Sequence, residues 1–103
     1  MLPHRLQRLP EHPGPDGLRV FTACSFRARL LGLALLEDLP SGCALLIPAC
    51  SSVHTFGMRF PIDIAFLDRT GQVLNTRGAV PPRRVVRYRG AAAVMEWRSR
   101  GGA

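Results

Sequence analysis

Lysine is missing from this sequence: all fourteen of its basic residues are arginine. A surface built for nucleic acid normally mixes the two, so the absence suggests a codon preference for Arg. The net charge of +7 is therefore read as solvated arginine on strand faces. Cysteine is scarce as well. Cys24, Cys43 and Cys50 are odd in number and lack CxxC spacing, which argues against a disulfide framework and leaves buried thiols as the expectation. No apolar run reaches roughly 18 residues, so no helix of membrane-spanning length is expected. Residues 1–17 are broken by Pro3, Pro10, Pro13 and Pro15 and have no apolar core. They do not look like a secretory signal, and the expected compartment is the cytoplasm.

What is present suits one small domain. The chain has 103 residues, of which 47% are hydrophobic, and a domain of this length buries roughly 60–70% of its unfolded surface. Residues 1–17 are expected to be a Pro-rich leader, either a mobile arm or a strap across the domain. Residues 18–98 form the β-rich domain, and 99–103 a tail that frays. Within the domain, 18–24 reads as a first strand. Ser25 then offers an N-cap to a helix over 26–36, with Phe26, Leu30, Leu33 and Leu36 on one side. Pro40 and Gly42 stop it.

From Cys43 onward the pattern is β, with strands expected at 43–47, 53–58, 62–67, 72–76, 83–89 and 91–97. Asp68-Arg69-Thr70-Gly71 has the residues of a type I turn closed by a left-handed glycine. Pro81 and Pro82 mark 78–82 as a connection. The stretch Val53-His54-Thr55-Phe56-Gly57-Met58-Arg59-Phe60-Pro61-Ile62-Asp63-Ile64-Ala65-Phe66-Leu67-Asp68 organises the rest, as two buried strands joined at Arg59-Phe60-Pro61. About seven strands and one short helix describe a mainly β (α+β) barrel or sandwich.

Asp63 is the residue that most demands explanation. An ionised carboxylate among Ile62, Ile64, Ala65 and Leu67 costs several kcal/mol unless it is paired or hydrogen-bonded. Its expected partners are Arg59, His54, Thr55 or backbone N–H groups near Pro61. In the structural reading, which is preferred, Asp63 ties down the bend. In the functional one, His54, Thr55, Arg59 and Asp63 rim a ligand site, with His54 and Asp63 able to act as a general base or polar clamp. Whether His54 and Asp63 share a face depends on strand register and stays open. Cys50, His54 and Met58 have the chemistry of a soft-metal site, but an extended chain rises about 3.3 Å per residue and carries Cys50 roughly 26 Å from Met58. No metal and no cofactor are expected. Ser51, Ser52 or Cys50 with His54 and Asp63 would make a hydrolase triad, yet no nucleophile elbow or oxyanion loop accompanies them.

Arg83, Arg84, Arg87 and Arg89 flank Tyr88 and form the densest basic patch. A single nucleic-acid strand could lie there, but an edge strand guarded by charge gives the same pattern and is preferred.

The run from Arg29 to Leu74 also resembles the bacterial domain-of-unknown-function family 192. The match lies in Arg29-Leu30-Leu31-Gly32-Leu33, Leu45-Leu46, and above all Val53-His54-Thr55-Phe56-Gly57-Met58 with Pro61-Ile62-Asp63-Ile64-Ala65-Phe66-Leu67-Asp68. Gly71, Val80-Pro81-Pro82 and Ala93-Val94-Met95-Glu96 add to it. Where many relatives have Phe-Trp-Met-Lys-Asn, this chain has Thr55-Phe56-Gly57-Met58-Arg59, which resembles a His-Thr-Phe-Gly-Met subgroup. The resemblance implies a compact jelly-roll-like β fold and leaves activity open. The functional expectation is a non-enzymatic binding or accessory module for a protein or small ligand, as a monomer or weak homodimer. A small hydrolase or transferase using His54 and Asp63, and nucleic-acid binding through 83–89, are the alternatives.

Overall fold

A computed structural model describes residues 2–100, with only the backbone described at Phe26. Fraying at 101–103, the placement of Met1 and the Phe26 side chain lie outside the described residues. The fold is mainly β. Six strands form one mixed sheet in the order β1-β2-β3-β8-β5-β6: β1 (Glu11–Pro13), β2 (Arg19–Thr22), β3 (Cys43–Pro48), β5 (Ile62–Leu67), β6 (Val73–Val80) and β8 (Ala93–Arg98). A separate two-stranded sheet pairs β4 (Ser52–His54) with β7 (Val85–Arg87). Two short helices, α1 (His4–Gln7) and α2 (Phe26–Leu31), complete it. No described helix is long and apolar enough to cross a membrane.

The eighth strand and second helix, beyond the seven and one expected, both come from residues 2–17. At four and three residues, α1 and β1 are too short to leave a periodic pattern. Pro13 is compatible with β1 because that strand lies at the sheet edge. Leu6 of α1 is almost fully buried in the core. Arg5 reaches across to the carbonyls of Gly32 (2.6 Å) and Ala34 (2.8 Å), satisfying acceptors that the end of α2 leaves open.

Strands β2 and β3 run parallel, so the chain needs a crossover between them, and α2 provides it. Ser25 caps α2 by accepting the Ala28 N–H at 3.0 Å. The helix ends at Leu31 rather than at residue 36, because Gly32 takes φ 54° and ψ −128°, a conformation open to glycine and hostile to other residues. The turns beyond it carry Leu33, Ala34 and Leu36 into the core instead of continuing a helical stripe, and leave Leu30 on the surface.

The central block does not form a hairpin. β4 pairs only with β7, Val53 lying opposite Val86, whereas β5 lies between β6 and β8. A turn in which the Met58 N–H reaches the Thr55 carbonyl, with Gly57 at φ 81°, diverts the chain after β4. Met58 and Phe60 then enter the core between the two sheets. The Asp68–Gly71 turn forms as its residues require: Gly71 has φ 88°, and one Asp68 oxygen accepts from Thr70 N, Thr70 Oγ1 and Gln72 N. The returning strand is longer than 72–76. It runs to Val80, since only Pro81 and Pro82 are barred from the ladder.

Register fixes which side chains meet. Glu96 of β8 lies opposite Leu45 of β3 and Ile64 of β5, and that sheet face also carries Ile47, Ile62, Phe66 and Val94, all buried. Asp63, opposite Trp97, falls on the other face.

Candidate functional site

Asp63 is half-buried and not sealed in the core. Its Oδ1 accepts the Ala79 N–H at 2.8 Å. Two residues of β6, Gly78 and Ala79, stand against Asp63 alone, which makes a bulge, and Ala79 sits at φ 49°. The carboxylate therefore holds a strained bulge on the neighbouring strand rather than the bend before Pro61. It also lines an open cavity of about 410 Å³ with Trp97, Thr76 and Ser99.

His54 belongs to a different cavity. Its Nε2 lies 2.8 Å from the Leu30 carbonyl, and a carbonyl can only accept, so Nε2 carries the hydrogen. In the neutral ring Nδ1 is then a lone-pair acceptor; it is buried and has no partner. The cavity of about 90 Å³ that His54 lines is also bounded by Arg29, Gly32, Ile47, Val53 and Glu96. His54 and Asp63, linked in the sequence argument, are thus not brought together.

Thr55 and Arg59 take other positions again. Thr55 is fully buried, and its hydroxyl donates to the Pro81 carbonyl (2.7 Å) and accepts the Arg84 N–H (2.8 Å). Its own backbone exchanges bonds with Arg83 and Arg84, so the residue locks β4 to the connection after β6. Arg59 is exposed, with Glu37 at 4.0 Å, a separation at which an exposed pair contributes little. Arg83, Arg84, Arg87 and Arg89 are all exposed, and the Arg84 guanidinium folds back to the Pro82 and Arg83 carbonyls. Among the described residues no group of three His, Cys, Asp or Glu side chains is placed to hold a metal ion. Cys24 is exposed, Cys43 buried and Cys50 half-buried, all as thiols.

The residue the sequence argument did not single out is Glu96. It is 1% exposed, and its Oε1 has no hydrogen-bond partner. Burial pushes its carboxyl up to about 8, opposed only by the Leu33 backbone N–H. Gly32 lies against it: a Cβ there would stand 2.9 Å from Oε1. A signal was present in Val94-Met95-Glu96, where alternation puts Glu96 on the face of Val94. Reading it required knowing which face of β8 is covered, which sequence does not reveal.

The fold has solved counterparts. A crystal structure of a protein of unknown function from Novosphingobium aromaticivorans DSM 12444 is 15% identical with a TM-score of 0.70, over 96% of this chain and 88% of that one. A protein from Sinorhizobium meliloti 1021, named a "putative transcription regulator", is 17% identical with a TM-score of 0.73, over 86% of this chain and 78% of that one. At these identities the likeness concerns the fold. Among curated proteins nothing matches. Residues 11–101 match the family DUF192, described as Uncharacterized ACR, COG1430, and by that match across most of its length the chain belongs to the DUF192 family.

Proposed function

We propose that this chain is a non-enzymatic binding module that receives its ligand at the cavity beside His54. The observation that carries the reading is a cavity-lining histidine whose ring is fixed through Nε2 while its buried Nδ1 goes unpaired. A buried polar atom without a partner costs free energy that a bound group can recover. Leu30 (56% exposed) and Phe56 (52% exposed, its ring 6.2 Å from that of His54) provide apolar surface close by. In this reading the two sheets are a jelly-roll-like sandwich of the His54-Thr55-Phe56-Gly57-Met58 subgroup, acting in the cytoplasm as a monomer or weak homodimer.

The test is a backbone-amide NMR titration with a set of small polar fragments. Shifts should cluster at 52–55 and 29–33 and disappear in His54→Ala. Shifts confined to Asp63, Ala79 and Trp97 would move the site to the other cavity, and a spectrum unmoved by every fragment would end the reading.

A second reading has one specific support: Arg83, Arg84, Arg87 and Arg89 are all exposed beside the two-stranded sheet, and the S. meliloti neighbour carries a regulator's name. Nucleic-acid binding there should retard random oligonucleotides in low salt and release them steeply as salt rises. Absence of retardation at low salt removes it.

A further inference from the structure

We propose that the cavity between His54 and Glu96 binds an uncharged group presenting a hydrogen-bond donor and an acceptor side by side, of which a primary carboxamide is the simplest. The inference rests on the binding-module reading and names the chemical class of its ligand. His54 and Glu96 line one cavity, and each has an unpartnered buried polar atom, Nδ1 of His54 and Oε1 of a glutamate that is almost completely buried. Their hydrogen-bonding characters differ. Because the Leu30 carbonyl fixes the hydrogen on Nε2, Nδ1 of the neutral ring can only accept. Glu96, kept protonated at neutral pH by its apolar surroundings, can offer a hydroxyl hydrogen. A carboxamide complements both, its N–H donating to Nδ1 and its C=O accepting from the Glu96 hydroxyl.

Size and lining agree with this. About 90 Å³ equals the share of about three water molecules, enough for the heavy atoms of an amide group. Gly32 also lines this cavity and packs closely against Glu96, where a Cβ would stand 2.9 Å from Oε1, so a larger residue would crowd the acid. Ile47 and Val53 supply apolar wall, and exposed Leu30 and Phe56 give a hydrocarbon substituent something to lie against.

A charged ligand is the natural competitor. From the elements around Glu96, the charged or titratable groups are Arg29 of α2, His54 of β4, Arg5 of α1, the buried Cys43 thiol of β3, and Arg98 of β8, which is paired with Asp38. Arg29 is engaged with the Ala49 carbonyl (2.9 Å), and Arg5 holds the Gly32 and Ala34 carbonyls. Strands β3 and β5 present only Leu45 and Ile64 opposite Glu96, with Asp63 on the far face. A cation would have to expel the Glu96 proton, so its binding would strengthen as pH rises. The carboxamide needs that proton, so its binding must weaken.

Three matched probes separate these cases: isobutyramide, isobutylammonium and isobutyrate, titrated into the whole chain by NMR. Isobutyramide should shift the amides of Gly32, Leu33 and His54 at pH 7.5, with affinity falling about tenfold per pH unit above 8. Glu96→Gln keeps a donor and should bind isobutyramide without the loss of affinity above pH 8. Glu96→Leu, folded by circular dichroism, should not bind it. If isobutylammonium or isobutyrate alone binds at these residues, the carboxamide assignment fails while the binding module stands. If no probe shifts them, both fall. Affinity for isobutyramide that rises with pH, or survives in Glu96→Leu, also overturns the assignment.

Discussion

Glu96→Gln is expected to be more stable than the parent at pH 9, with the difference shrinking steadily toward pH 5. In the unfolded chain the carboxyl titrates near its ordinary value of about 4.3, whereas in the fold it is pushed up to about 8. Between those two values the folded state holds a proton that the unfolded state has lost. Stability therefore falls as pH rises through this window, by about 1.4 kcal/mol per unit, and levels off above 8. Glutamine has nothing to ionise, so that slope vanishes and the variant gains several kcal/mol over the parent by pH 9. Urea midpoints at pH 5, 7 and 9 measure the gap. Carboxylates held below their usual range contribute with the opposite sign at lower pH. Asp68 is one, held mainly by the Thr70 side chain, and Glu11 is another, held mainly by Arg19. Their stabilisation is lost as pH falls, so the comparison must be parent against variant. Parallel profiles would mean that Glu96 ionises without hindrance.

Thr55→Val should cost about 2–4 kcal/mol, and Thr55→Ser much less. Valine keeps the volume but removes the hydroxyl that bonds both the Pro81 carbonyl and the Arg84 N–H. Those groups sit where β4 meets the chain leaving β6, and each lost partner costs about 1–3 kcal/mol where water cannot replace it. Serine retains both bonds and gives up only a methyl group. Equal melting temperatures for Thr55→Val and Thr55→Ser would show that the hydroxyl bridge contributes nothing.

Local chemistry made some of the fold legible from sequence and left the rest out of reach. The Asp68–Gly71 turn and the Ser25 cap were readable because each is decided within a few residues. Strand β5 was readable as central because Ile62, Ile64, Ala65, Phe66 and Leu67 are apolar on both faces. The pairing of Val53 with Val86 was not, since more than thirty residues separate them and no local pattern specifies such a partner. The candidate site suffered similarly. A buried carboxylate was sought at Asp63, where apolar neighbours in sequence suggested it. Flanking residues do not decide burial in a sheet; the layer packed on that face does. Glu96 has Met95 and Trp97 beside it in the chain but Leu45, Ile64 and Gly32 against it in space. His54 stands out in the sequence, but the acid that shares its cavity lies more than forty residues further along the chain.

The position of β8 has a bearing on how the protein is made. Strands β1, β2 and β3 form one half of the large sheet and β5 with β6 the other, and β8 is the plank between them. On the ribosome the two halves must wait, side by side and unjoined, until Ala93–Arg98 emerges. The same six residues carry Glu96 to the cavity that His54 lines, so closing the sheet and completing the lining of that cavity are a single event.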